Sequence, residues 1–123
     1  MLTSTLEDYL EAIVILEKEK GKVRIKDIGA LLKVKNPSVV SAINSLVKSG
    51  YVKHKKYSYV ELTQKGKESA EAVHKKHKTI AKFLKNVLKV DETTARKDAC
   101  RIEHIISPRT YKKIISVCNR LDD

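Results

Sequence analysis

A thiol, a carboxylate and an imidazole fall within five residues at Cys100-Arg101-Ile102-Glu103-His104. The segment from about Asp91 to Ile106 has helical periodicity, and on a helix positions i, i+3 and i+4 share one face. Cys100, Glu103 and His104 therefore stand side by side. Each can offer a lone pair to a cation, and together they make half of a transition-metal site. A small core cysteine beside a surface Glu-His pair would give the same short pattern. The rest of the chain has to decide between chemistry and packing.

The elements that would position such a site are mostly helices. With 123 residues the chain holds one ordinary domain or two small ones sharing a core. Four Gly and two Pro leave little room for long flexible linkers. The longest apolar run, Ala12 to Leu16, is far too short to span a bilayer. No charged-then-apolar leader opens the chain, and two cysteines make no disulfide framework, so the expected home is the cytoplasm. The net charge of +11 points to a polyanionic partner. Between Lys33 and Lys67 eight lysines face the single acid Glu61, a concentration that favours nucleic acid over a generally lysine-rich surface.

Taken in order, Ser4 and Glu7 have the spacing of a capping box, and Leu6, Tyr9, Leu10, Ile13, Val14 and Leu16 follow a helical period. Acids in the first turn suit the helix dipole. That accounts for Glu7 and Asp8, and less well for Glu11 among apolar neighbours. Gly21 ends this helix. A short extended piece, Val23-Arg24-Ile25, precedes a second helix from Lys26 to Leu32 with Ile28, Leu31 and Leu32 facing inward. Asn36 as N-cap and Pro37 at the first position start a third helix. Its expected buried stripe is Val40, Ile43 and Val47, with Val39 and Leu46 beside it, leaving Ser38, Ser41, Ala42 and Ser45 on the other face. Tyr51 to Thr63 alternates and reads as a basic-tipped β-hairpin.

Two short helices, a tight turn and a basic hairpin make a winged helix-turn-helix. The small polar face of the third helix suits a major groove, and the wing lysines suit phosphate. Lys35, Asn36, Pro37, Ser38, Ser41, Lys53, Lys55 and Lys56 are the candidate contacts to double-stranded DNA. A long helix then runs from Gly66 to about Leu88, carrying His74 and His77 one turn apart. Asp91 caps the helix of Cys100, and Ser107-Pro108 starts a last helix in which Cys118 reads as inert core. The C-terminal helices show more apolar surface than so small a unit can bury, so a homodimer is expected. The fold class is mainly α with a small β-hairpin. A winged helix-turn-helix domain over residues 1–70 precedes a helical metal-binding and dimerisation domain over residues 71–123.

With its helix 1 acids, winged helix, His77 and Cys-x-x-Glu-His, the sequence resembles the diphtheria toxin repressor family of metal-dependent transcriptional regulators. The likeness runs through Thr5-Leu6-Glu7-Asp8-Tyr9-Leu10-Glu11-Ala12-Ile13, Pro37-Ser38-Val39, Leu62-Thr63-x-x-Gly66 and Ala99-Cys100-Arg101-x-Glu103-His104. It implies Asp8, Glu11, His77, Cys100, Glu103 and His104 as metal ligands. Cys100 resembles the iron-responsive branch, whereas Asp8 and Glu11 resemble the manganese-responsive one. Ala81 and Arg96 stand where the iron branch has further Glu and His ligands, which implies that this ancillary site is missing. With the sequence ending at Asp123, the two-domain form without an SH3-like domain is the expected architecture.

The implied mechanism is a repressor. Fe²⁺ (or Mn²⁺) bridging Asp8 and Glu11 in one half and His77, Cys100, Glu103 and His104 in the other would fix the spacing of two recognition helices on operator DNA. Because the thiol must ionise and the imidazoles stay neutral, metal binding should weaken as pH falls. The competing readings are a metal-independent winged-helix regulator and a small metal-dependent hydrolase. Against the hydrolase, the chain carries no Gly-rich phosphate loop, nucleophile elbow or H-E-x-x-H. It is read as a regulator and not as an enzyme.

Overall fold

Thr3, rather than Ser4, caps the first helix, its Oγ1 accepting from the Leu6 amide at 3.2 Å. The cap therefore lies one residue before the expected box, and Ser4 is the first helical residue of α1 (Ser4–Lys20). The computed structural model describes residues 2–122, the side chain of Asp122 aside, and divides into two compact units that meet between Ala72 and Val73.

In the first unit α1 is followed by α2 (Ile25–Leu32), α3 (Asn36–Lys48), β1 (Val52–His54), β2 (Val60–Leu62) and the start of α4 (Gln64–Asn86). Leu10, Ile13, Ile28, Ile43 and Leu46 are fully enclosed in its core; burying each contributes about 1.5–3 kcal/mol. The two strands pair antiparallel with Val52 opposite Leu62. Val60 also donates its amide to the Val23 carbonyl at 2.7 Å, so the extended piece before α2 is stitched to the hairpin.

The apolar face of α3 differs from expectation by one position. Val39, Ile43 and Leu46 are buried, whereas Val40 and Val47 are exposed. Five apolar residues at 39, 40, 43, 46 and 47 support either stripe by periodicity alone. Tertiary packing decides between them: Val39, Ile43 and Leu46 join Leu10, Ile13 and Ile28 in one buried cluster. Leu31, expected inside, is likewise exposed. Lys35, not Asn36, occupies the N-cap position of α3, and Asn36 is its first residue.

Around Thr63 the chain makes its tightest approach. The Thr63 hydroxyl donates to the Gly50 carbonyl at 2.6 Å and accepts from the Gly66 amide at 3.1 Å, which starts α4. A Cβ at Gly66 would lie 1.9 Å from the Tyr51 carbonyl oxygen. The second unit contains the remainder of α4 with α5 (Glu92–Ile105) and α6 (Pro108–Asp122). Its core is Ile80, Leu84, Ala95 and Ala99, with Phe83, Ile102 and Tyr111 half-buried around it. Cys118 is buried with its Sγ 3.9 Å from the Thr79 carbonyl, in keeping with a core role. Leu88, Ile105 and Leu121 are exposed. Among the described residues no helix is long and apolar enough to cross a membrane.

The close approach at Gly66 and the ion pair at Asp27 each predict a change in stability. Gly66→Ala forces backbone against backbone and should cost about 3 kcal/mol in urea unfolding. The Asp27 carboxyl is held below the usual carboxylate range by the Lys20 ammonium at 2.8 Å and by the Arg24 amide at 2.9 Å. A depressed folded pKa contributes stability that is complete above the unfolded value and is lost as pH falls through the folded one. Asp27→Asn should therefore destabilise by about 1 kcal/mol at neutral pH. The gap between the two proteins should close in melts taken below about pH 3.

Candidate metal centre and nucleic-acid interface

Two small residues bring α4 and α5 of the second unit together. Ala95 and Ala99 are buried against Ile80 and Leu84, and Asp91 fixes the start of α5 by accepting from the Thr94 amide at 3.0 Å. That hydrogen bond also holds the Asp91 carboxyl below its ordinary pKa. Directly after Ala99, and one turn further on, α5 presents Cys100 and Glu103 to His77 on α4. The Glu103 side chain is only 1% exposed, and its Oε1 lies 2.8 Å from His77 Nδ1. Cys100 Sγ lies 3.7 Å from the same nitrogen. The donor atoms of His77, Cys100 and Glu103 all lie within 4.8 Å of one another.

This set fits a divalent metal. Donors bound at about 2.1–2.3 Å to one ion lie roughly 3 Å apart when adjacent and roughly 4.4 Å apart when opposite. The two measured separations bracket the adjacent case, and small side-chain movements suffice to close the rest. One thiolate, one imidazole and one carboxylate suit a divalent first-row transition metal. Cys100 is exposed at the edge of the cluster and Glu103 is buried at its base. His104, the next residue on α5, is half-buried, as is His74. Glu11 is buried on α1 of the first unit and Asp8 half-buried one turn before it.

The first unit carries the other candidate surface. Lys35, Asn36, Pro37, Ser38 and Ser41 are exposed on α3 and the turn before it, and Lys53, Lys55 and Lys56 are exposed on the hairpin. Between α3 and the hairpin lies a groove of about 710 Å³ lined by Asn36, Val40, Asn44, His54, Lys56 and Arg24, among others. On the opposite flank of α3, Ser38, Ser41 and Ser45 line a second recess with Thr3, Thr5 and Tyr9 of α1. The hairpin is held to the chain before α2 by Tyr59. Lys22 and Arg24 each stand 5.0 Å from the centre of its ring, and Arg24 Nη2 donates to its hydroxyl at 3.3 Å. The Arg24 hydrogen bond and charge also lower the pKa of that phenol.

Compared with known proteins, residues 1–60 match the iron dependent repressor N-terminal DNA binding domain. Residues 63–123 match the iron dependent repressor metal binding and dimerisation domain. The uncharacterized HTH-type transcriptional regulator MJ0568 of Methanocaldococcus jannaschii is 35% identical over 92% of this chain and 91% of its own length. The HTH-type transcriptional regulator MntR of Bacillus velezensis is 33% identical over the whole chain and 86% of its own. The chain belongs to the diphtheria toxin repressor family.

Members of this family are metal-dependent transcriptional regulators and not enzymes, and the observed helix order with one small antiparallel hairpin is the family's fold. Solved structures agree. T. acidophilum IdeR superposes with a TM-score of 0.82 at 27% identity, covering 92% of this chain and 53% of that one. The manganese regulator SloR gives 0.82 at 28% identity, covering 93% and 53%. The chain thus spans about half the length of these solved relatives. Within the family frame, the geometry adds surface residues that sequence reasoning passed over: Arg24, Val40, Asn44, Tyr57 and Tyr59. Arg24 and Tyr59 lie 35 positions apart and share no local pattern, while Val40 falls in the core under the expected α3 register. Tyr57 is 93% exposed at the hairpin tip, and only the run of basic and aromatic residues around it hints at an interface.

Replacing Lys53, Lys55 and Lys56 with Ala should flatten the salt dependence of duplex binding, the log–log slope falling by about 0.9 for each phosphate no longer neutralised. An unchanged slope in filter-binding titrations from about 50 to 200 mM salt would remove the hairpin from the interface.

Proposed function

We propose that this protein is a repressor that binds operator DNA as a homodimer when Fe²⁺, or Mn²⁺, is held by His77, Cys100 and Glu103, with His104, Asp8 and Glu11 as the further donors. The observation that carries this reading is the convergence of thiol, imidazole and carboxylate within 4.8 Å, in a chain whose other unit is a cationic winged helix. Bound there, the metal supplies positive charge that draws anionic donors together. The chain's own side chains do the remainder. Glu103 is buried and Cys100 lies at the rim, so the donors approach from the base and the edge of one centre. Asp8 and Glu11, as donors from α1, couple the state of that centre to the unit that carries the recognition helix. With Asp8 and Glu11 among the donors, a bound metal would supply the charge that favours a conformation in which two recognition helices match successive major grooves.

The homodimer is supported by the apolar side chains that the second unit leaves in water, Ile105 at 82% exposure and Leu121 at 58%. Both lie in the stretch similar to a metal binding and dimerisation domain, where exposed apolar surface is suited to association. On metal choice, the thiol of Cys100 favours Fe²⁺ over Mn²⁺, and the carboxylates accept either. A shell of five or six donors does not suit the tetrahedral habit of Zn²⁺. Such a regulator works in the cytoplasm, beside its DNA.

The test is DNA affinity in anaerobic Fe²⁺ and Mn²⁺ titrations of the wild type, His104→Ala and Cys100→Glu. His104→Ala should remain a folded dimer by circular dichroism and sedimentation while its metal-stimulated gain in affinity falls at least about tenfold. Cys100→Glu should shift preference towards Mn²⁺. Three identical metal responses, or unfolding of His104→Ala, would overturn the reading.

A further inference from the structure

We infer that the base-reading edge of α3 is the ridge facing the hairpin, Asn36-Val40-Asn44, with Asn44 recognising an adenine and Val40 packing on a thymine methyl in each half-site. This rests on the DNA-binding reading above and deepens it by naming the bases and the side chains that choose them.

Two large apolar side chains of α3, Val40 and Val47, stand outside the core, and of the two Val40 lines the groove beside the hairpin. The core takes Val39, Ile43 and Leu46 from the helix and leaves Val40 41% exposed among asparagines and serines. Asn36, Val40 and Asn44 are spaced by four, so they stand in one row along the helix. All three line the groove whose other wall is His54 and Lys56 on the hairpin, with Arg24 beside them. The charged groups lining this groove, Arg24, Lys26 and Lys56, are all basic. A cationic groove beside an exposed helix is suited to the edge of a polyanion. Within it the chemistry of Val40 and Asn44 is selective. A carboxamide pairs one donor and one acceptor, matching the N7 acceptor and N6 donor of adenine, whereas guanine offers two acceptors on that edge. Valine methyls match the C5 methyl of thymine.

The opposite ridge does not offer this. Ser38, Ser41 and Ser45 line the recess beside α1, and single hydroxyls accept any base edge. Discrimination therefore sits on the hairpin side. The separation of the two side chains also sets the separation of the two bases. Four residues of helix rise about 6 Å, close to two base-pair steps of about 3.4 Å. The adenine and the thymine should lie about two steps apart in each half-site.

The experiment is selection from a randomised duplex pool with Mn²⁺ present, using the wild type, Asn44→Ala, Val40→Ser and Ser41→Ala. Competition titrations on the selected duplex follow, with circular dichroism as the folding control. The wild type should select an adenine and a thymine at that spacing. Asn44→Ala should lose discrimination at the adenine alone, by about 5- to 150-fold, and keep its affinity for unselected duplex. Val40→Ser should relax the thymine alone, and Ser41→Ala, at a candidate contact, should weaken all duplexes alike without shifting either preference. If Asn44→Ala weakens all sequences alike, or if the preferences follow Ser41, the inference is overturned while the repressor reading stands. A folded wild type that selects no sequence overturns both.

Discussion

Glu103 is a carboxylate with almost no exposure to water, and the second unit is arranged around that fact. Burying an ionised group is costly unless charge or hydrogen bonds meet it. His77 meets it from α4 at 2.8 Å, which requires α4 and α5 to approach closely at that level. Alanines at 95 and 99 permit the approach, since larger side chains would hold the helices apart. Cys100 comes within reach of the same imidazole because it is one turn before Glu103 on the same helix. The donor cluster is thus the product of one buried charge and two small residues.

How much of this is legible in the sequence depends on how far apart the partners lie. Cys100, Glu103 and His104 form one local pattern, and the Asp91 cap that fixes their helix is equally local. His77 is 26 positions from Glu103, and no periodicity links the two; only the family resemblance points to it. The α3 register is ambiguous in the sequence because the large apolar residues at 39, 40, 43, 46 and 47 satisfy two stripes, and the arbiter is packing against Leu10, Ile13 and Ile28 on other helices. The cap of α1 sits one residue early because Thr3 and Ser4 are chemically alike. Fold class is readable because winged helices are built from short elements with strong punctuation, and Gly21 and Gly50 both adopt the positive φ that ends a helix or turns the chain.

The cationic unit solves an electrostatic problem of its own. Many lysines on one small domain repel each other, yet several basic side chains are placed over aromatic rings: Lys22 and Arg24 over Tyr59, Lys56 over Tyr57 and Lys65 over Tyr51. Each such pairing stabilises by about 0.5–1 kcal/mol at exposed sites. The rings hold the cationic side chains in defined positions without neutralising them, so the charge stays available to a phosphate backbone.

The bridge between Val23 and Val60 carries a consequence for how the first unit assembles. Its helices are made from contacts close in sequence, and local contacts form quickly. The bridge instead joins residues 37 positions apart, and closing a chain segment of that length costs entropy before any contact compensates. The hairpin pairs within itself at small closure cost, whereas its attachment to the chain before α2 carries the larger one. The wing therefore depends on its domain for its position, because the contact that fixes it to the chain before α2 joins residues far apart in sequence.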